Sequence, residues 1–402
     1  MIYPLILPLF SFKMRRSVYL LTLFLGFSAA LWSQNYPVGH QTVAFVDSSR
    51  SNRLVPSEIY YAATVAGEST PVAAGVFPVI VFGHGFQMAY DSYLYFRDAM
   101  VPAGYILVFP KTETSLSPNH AAYGADLAFL VVQMKAEGMN PGSPFYQHID
   151  STSAIMGHSM GGGASFLACQ NNTNPTVMVT LAAAETSPSA ITAARNITIP
   201  SLVFSADMDC VTPPATNQIP MYDSLASVCK TFINIKGGGH CYFADANFIC
   251  SLGEIGCPAF AITRDQQHAA TLDFTKPYLD YYLKKQPAAW TVFNDSLNGS
   301  ARITYQQSCT TTAVSPGGFP EKAVVFPNPA GDITMMSGNC KAKEAIFVTV
   351  TDIYGRKIYA VNMIPEENQF HLVLDMKSWE RGIYLAEIRT SKTVRVNRIV
   401  KK

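Results

Sequence analysis

The hydrophobic positions of this chain fall into three regimes. A single apolar run covers residues 18–30, directly behind Lys13, Arg15 and Arg16. Between residues 43 and 283, short continuous apolar runs alternate with longer stretches of helical spacing. Runs such as 76–82 and 105–110 are rich in Val, Ile and Phe. They fit strands buried on both faces of a parallel sheet. Residues 43–46 and 57–61 predict an opening antiparallel hairpin, and 151–156, 177–181, 201–205 and 231–235 predict further strands. Helices are predicted at 90–101, 121–136, 165–170, 219–227 and 266–283. Strands alternating with helices predict an α/β class: a doubly wound, mostly parallel sheet. Residues 308–322, rich in Thr, Ser, Pro and Gly, read as a linker. Beyond them, short alternating strands at 347–350, 357–361, 370–374, 384–388 and 392–400 predict a small C-terminal β-sandwich of about 80 residues. The expected division is 1–34 N-terminal leader, 35–310 α/β domain, 311–322 linker and 323–402 sandwich.

Charge and composition change this picture mainly by exclusion. The 402-residue chain has a net charge of +1. It has no basic stripe interleaved with aromatics, which argues against nucleic acid, and no basic excess that would draw an acidic substrate. The three cations before residues 18–30, with small and polar residues at 29–34 for cleavage, read as a secretory signal. Residues 1–12 are an apolar prelude, so Met14 is a candidate start. No second apolar span follows, which favours cleavage over a membrane anchor. No cysteine follows the signal to carry a lipid.

Export permits disulfides. The eight cysteines are Cys169, Cys210, Cys229, Cys241, Cys250, Cys257, Cys309 and Cys340. Their spacing is not that of a zinc site, and no metal or cofactor is expected. Cys210–Cys229 and Cys250–Cys257 are the expected bridges, although connectivity cannot be read from spacing. The protein is expected to be a monomer.

The chemistry centres on Ala154-Ile155-Met156-Gly157-His158-Ser159-Met160-Gly161-Gly162-Gly163. Apolar residues lead into Gly-x-Ser-x-Gly, and small residues then open a helix. This is the pattern of a nucleophile elbow, in which a serine sits on a tight strand-to-helix turn. A serine hydroxyl needs a base, an acid to orient that base and donors for the oxyanion. The chain order should be Ser, acid, His. The strand at 201–205 runs into Asp207 and Asp209. Asp209 begins Asp-x-x-x-Pro and should project into the loop, whereas Asp207 reads as a turn former. Gly237-Gly238-Gly239-His240 directly follows the strand at 231–235, so His240 is the expected base. His40, His120 and His148 precede the serine, His268 lies in the last helix, and His84 and His158 flank the site as braces. The Met160 amide should supply one oxyanion donor. Phe86, in Gly83-His84-Gly85-Phe86-Gln87, should supply the other. Asp209 then orients His240, His240 takes the Ser159 proton, and water cleaves the acyl-enzyme.

At these residues the chain resembles the α/β-hydrolase superfamily, and more narrowly the dienelactone-hydrolase-related branch that holds bacterial cutinases and PET hydrolases. The likeness covers most of 43–283. It rests on Pro144-Phe145-Tyr146 with Ile149-Asp150 before the elbow, on Asp209-Cys210-Val211-Thr212-Pro213, on Met221-Tyr222-Asp223-Ser224-Leu225, and on Gly237-Gly238-Gly239-His240. The resemblance implies an α/β-hydrolase fold and a secreted serine ester hydrolase. It supports Asp209 over Asp207, and it implies that the Phe86 ring contacts substrate. Gln87, His158 and Glu185 complete the expected substrate-contacting set. Glu185 stands in Ala183-Ala184-Glu185, where those enzymes carry Ala-Pro-Trp, and Trp290 lies beyond the triad. Cys210 and Cys241 are shifted from the family's usual bridge, and the loop 241–265 is longer. Phe82-Gly83-His84-Gly85-Phe86 also resembles platelet-activating-factor acetylhydrolase-like esterases, so a small-ester esterase or lipase is the alternative. A non-catalytic binding protein is the second alternative. The C-terminal segment resembles sorting domains read by type IX secretion, through Phe326-Pro327-Asn328-Pro329-Ala330, Val350-Thr351-Asp352-Ile353-Tyr354-Gly355-Arg356-Lys357 and Gly382-Ile383-Tyr384-Leu385-Ala386. It implies that machinery as partner and an extracellular or cell-surface location.

Overall fold

A computed structural model describes residues 35–309, 324–339, 343–352, 356–366, 369–390 and 394–402. The expected signal peptide at 1–34, the linker at 311–322 and Cys340 lie outside the described residues.

The opening hairpin pairs β1 (Val38–Asp47) with β2 (Arg53–Ala62), in register from Val38 opposite Ala62 to Asp47 opposite Arg53. Asp47 shapes the turn by accepting the Ser49 amide. The sheet continues with β3 (Gly67–Glu68), β4 (Phe77–Gly83), β5 (Ile106–Pro110), β6 (Ile149–His158), β7 (Val177–Leu181), β8 (Ser201–Ala206), β9 (Cys229–Ile235) and β10 (Ile303–Cys309). Its order is β10-β9-β8-β7-β6-β4-β5-β2-β1-β3. The run from β9 to β5 is parallel, while β10 and β2 flank it antiparallel.

Every residue of β4 and β7 is buried. Alternate side chains feed two separate cores: Val79 and Val81 enter one, Ile80 and Phe82 the other. Four helices fill the first core: α2 (His120–Met139), α3 (Met160–Cys169), α4 (Ala190–Ala194) and α5 (Gln218–Ser224), through Leu127, Phe166, Ala193 and Met221. The second takes Phe96, Phe274 and Phe293 from α1 (Leu94–Met100), α7 (Arg264–Tyr282) and α8 (Pro287–Gly299). Caps set the starts of the two longest helices. Asn119 accepts the Ala122 amide at α2, and Thr263 with Gln266 forms a capping box at α7. The doubly wound α/β reading therefore holds.

Several elements differ from expectation. The helix expected at 219–227 stops at Ser224, because Leu225 turns extended. Helices α4, α6 (Phe248–Gly253) and α8 and strand β10 were not anticipated. Strand β10 buries Ile303 and exposes the five residues after it. It has no apolar alternation to reveal it, and main-chain pairing to β9 makes the strand. Ser308 and Cys309, expected in the linker, belong to β10.

The C-terminal residues form two small antiparallel sheets. One orders β11 (Val324–Phe326), β12 (Ile333–Asn339) and β15 (Gln369–Asp375). The other orders β14 (Lys357–Met363), β13 (Ile346–Asp352), β16 (Gly382–Arg389) and β17 (Val394–Lys401). Both contribute to one core, with Met336, Leu372 and Leu374 from the first and Val348, Ala386 and Ile399 from the second. The strict alternation along β15 is what made the sandwich legible.

The expected disulfides are corrected. The bridges are Cys210–Cys257, Cys229–Cys309 and Cys241–Cys250, and Cys169 is a buried free thiol. Cys210 follows the C-terminal end of β8, whereas Cys229 opens the parallel neighbour β9. About six residues of strand, roughly 20 Å, separate those two levels. Cys229 instead sits directly opposite Cys309 in the β9–β10 register.

The turn from β6 into α3 requires glycine at two places. A Cβ on Gly161 would run into the carbonyl of Gly83 at the end of β4, and one on Gly157 into the carbonyl of Gly161. Gly161→Ala should therefore destabilise the fold by about 3 kcal/mol or more. Gly299→Ala, where the added atom meets open space, should change stability by less than about 1 kcal/mol. Equal shifts in urea-unfolding midpoint for the two variants would contradict this account of the turn.

Candidate active site

Every predicted site residue lies at or beyond the C-terminal end of a parallel strand, the edge where open α/β sheets build their sites. Ser159 follows β6, Phe86 follows β4, Asp209 follows β8 and His240 follows β9. Ser159 adopts φ 56° and ψ −120°, a strained conformation for a residue with a side chain. Surrounding hydrogen bonds hold it there. Its amide donates to the Leu181 carbonyl at 3.0 Å, and its own carbonyl accepts the Gly163 and Ala184 amides at 3.0 and 2.9 Å. Among the described residues Ser159 Oγ has no hydrogen-bond partner.

Asp209 and His240 are brought together in a buried pair. His240 Nδ1 lies 2.8 Å from Asp209 Oδ2. The other carboxylate oxygen accepts the amides of Val211 and Thr212 at 2.9 and 2.8 Å, an Asx-type turn that fixes the carboxylate plane. Asp207 does something different: its Oδ1 accepts the Gly237 amide at 2.6 Å and shapes the glycine loop ahead of His240.

Several supporting residues were not read from the sequence. Thr212 Oγ1 donates to Asp209 Oδ2 at 2.8 Å and lies 3.0 Å from His240 Nδ1. Gln218 Nε2 donates to Thr212 and to the Ala183 carbonyl. Gln267 clamps both the amide and the carbonyl of Gly239, at 3.0 and 2.9 Å. Thr212 had a local signal, since a hydroxyl three residues after an Asx acceptor closes such turns. Gln267 had none, because it lies in a helix 28 residues beyond Gly239; Gln218 follows Thr212 by only six residues, yet no local pattern aims its side chain back at that hydroxyl.

The loop after β4 is held by tyrosines. Tyr93 accepts the Gly85 amide at 2.8 Å, and Tyr123 accepts the His84 amide at 2.6 Å. Among the described residues the amides of Phe86 and Met160 have no acceptor within the protein. The Phe86 ring is 42% exposed, and Gln87 beside it is half-buried with φ 53°.

His158 does not fit its expected place among substrate contacts. It is fully buried, with Nδ1 3.0 Å from the Tyr93 hydroxyl and Nε2 3.1 Å from the His240 carbonyl. Its ring lies 4.8 Å from that of His240. It braces the base. Glu185 is exposed, and its carboxylate accepts the Ile191 amide at 3.1 Å, which ties down the turn before α4.

With this geometry in hand, comparison with known proteins places the chain. A family model described as PET hydrolase-like matches residues 34–258, more than half of the chain. The chain belongs to the PET hydrolase-like family. A second model, the secretion system C-terminal sorting domain, matches residues 324–402. Among curated proteins, Cutinase 1 of Thermobifida cellulosilytica is 24% identical over 173 residues, covering 42% of this chain and 63% of that protein. A cutinase of Thermobifida fusca (strain YX) is 24% identical over 173 residues, covering 42% and 54%. Chlorophyllase-1, chloroplastic, of Citrus sinensis is 34% identical over 98 residues, covering 24% and 30%. The chain thus spans less than two thirds of the length of each of these relatives. Among the described residues no helix is long and apolar enough to cross a membrane.

This PET hydrolase-like core buries neutral imidazoles. Burial holds His158 well below the ordinary histidine range and lowers His84 and His268 as well. Unfolding returns these rings to a pKa near 6.5. Below that pH the unfolded chain binds more protons than the folded one, so stability falls as pH falls. The melting temperature should drop between pH 7 and pH 5, with each such histidine contributing up to about 1.4 kcal/mol per pH unit. A melting temperature that rises on acidification through this window would contradict the burial of neutral rings.

Proposed function

We propose that this protein is an exported serine carboxylic-ester hydrolase in which Ser159 is the nucleophile, His240 the general base and Asp209 the group that orients it. The observation that carries the reading is the buried Asp209–His240 pair on the same sheet edge as a serine held at positive φ between β6 and α3. In this reading Ser159 Oγ attacks the acyl carbonyl while His240 Nε2 takes its proton. The amides of Phe86 and Met160 receive the developing oxyanion. His240 then protonates the departing alcohol. Water repeats the sequence on the acyl-enzyme, frees the carboxylic acid and restores the serine. Thr212 and Gln218 keep Asp209 aimed at the imidazole.

The substrate in this reading is an ester with an apolar body, as on a polyester surface. Exposed Phe86, Val211, Phe248, Leu252 and Ile255 give the segments around the acid and base loops an apolar exterior. Small soluble esters are the second reading. The observation that favours it is the exposed Glu185 carboxylate where polyester hydrolases of the family carry a tryptophan. For the whole chain we propose a signal at 1–34, a catalytic domain at 35–310 and a sandwich at 323–402 that the type IX machinery reads. The match to the secretion sorting domain and the three disulfides support export.

The test is turnover of p-nitrophenyl esters from acetate upward, with a polyester film alongside. Ser159→Ala should lower kcat by about 1,000-fold or more with an unchanged melting temperature. Retained turnover would remove Ser159 as nucleophile. Soluble products from the film identify a polyester hydrolase, whereas an untouched film with brisk short-ester turnover identifies a small-ester esterase. Thr212→Val, which deletes one donor to Asp209 and keeps the side-chain shape, should lower kcat about tenfold and leave KM nearly constant. A change confined to KM would assign Thr212 to substrate binding instead.

A further inference from the structure

The segment 241–265 following His240 is tied down by two disulfides. The bridge Cys241–Cys250 anchors it beside the base, and Cys210–Cys257 anchors it beside the acid. Asp245 accepts the Leu94 amide at 2.7 Å, and Asn247 donates to Ser92 Oγ at 2.9 Å. Arg264 donates to the carbonyls of Cys241 and Ala244. Between the two bridged cysteines, just past α6, stands Glu254. Its Oε1 accepts the amide of Cys241, the residue next to His240, at 2.8 Å. Among the described residues no cation forms a salt bridge with it.

We propose that Glu254 is a positioning residue for His240, acting through the Cys241 amide to fix the base loop and placing a second negative charge beside the imidazole. This inference rests on the proposed function above. The charged and titratable groups around His240 and its loop are Asp209, His158 from the end of β6, Glu254 from the α6 segment, and Arg264 from the start of α7, which donates to the Cys241 carbonyl. Asp209 and Glu254 favour the imidazolium that forms as the serine proton is taken, and Arg264 opposes it. Burial lifts the Glu254 carboxyl above its ordinary range, while the Cys241 amide, His240 and Arg264 pull it back down. The disulfides give the arrangement its purpose: each bridged partner of this segment adjoins a member of the Asp209–His240 pair.

Glu254→Gln separates the two roles, because it keeps an oxygen for the Cys241 amide and removes the charge. Losing a negative charge makes the imidazolium less favourable, so the His240 pKa should fall. In the full secreted protein, the acid limb of the kcat/KM–pH profile should move down by about half a pH unit, the size expected of one solvent-screened charge. Glu254→Ala should show the same shift with a further severalfold loss of kcat from the loosened loop. The His240 imidazole resonance, titrated by NMR in a Ser159→Ala background with and without Glu254→Gln, reads the same pKa without relying on turnover. An NMR pKa unchanged by Glu254→Gln overturns the proposal, whatever happens to kcat. A shifted resonance with an unshifted rate profile supports Glu254's action on the ring and overturns instead the assignment of His240 as the base.

Discussion

The site depends on the close approach of three backbone segments at Gly83, Gly157 and Gly161. The end of β4, the end of β6 and the first turn of α3 come within a distance that leaves no room for a Cβ. This contact makes the strand-to-helix turn sharp enough to hold Ser159 at positive φ. It also sets the turn against the loop that carries Phe86. The strain at Ser159 persists because the Leu181 carbonyl and the Gly163 and Ala184 amides over-determine its backbone.

Around that contact the site is built from buried polar groups whose partners are nearly all accounted for. Asp209 meets two backbone amides, one hydroxyl and one imidazole. Such a carboxylate is already solvated by the protein and is held in one orientation against the imidazole. His158 serves the opposite end. It is buried, neutral and joined to both Tyr93 and the His240 carbonyl, so it transmits the packing of the α1 side of the sheet to the base loop. The segment after His240 is attached to the same framework by two disulfides and by Phe243 and Ala244 in the second core, while Phe248, Leu252 and Ile255 face outward.

What could be read from the chain depended on the range of the interactions involved. The buried strands were legible because a strand covered on both faces must be apolar at every position, as 76–82 is. The strand β10 was not, because its pairing uses main-chain groups common to all sequences and leaves most of its side chains in water. Helix α6 is short, and disulfides and an Asn247 cap hold it in place of an apolar stripe. Asp209 and His240 were legible from their position after strands. Thr212 was only latently so, and Gln218 and Gln267 were invisible.

The α/β alternation, the C-terminal sandwich, the glycine turn that carries Ser159 and the places of Asp209 and His240 after successive strands were all readable along the chain. Local patterns encode these: apolar period, glycine at a turn, a polar residue at a strand end. Which cysteines pair followed from the assembled sheet, since Cys229 meets Cys309 through strand register and lies a strand's length from Cys210. The three-dimensional arrangement likewise turns His158 inward to brace the His240 loop, ties Glu185 to the Ile191 amide and brings Glu254 to Cys241. His158 and His240 stand 82 residues apart, a separation that says nothing of their distance in space. Sheet order and helix packing set that distance.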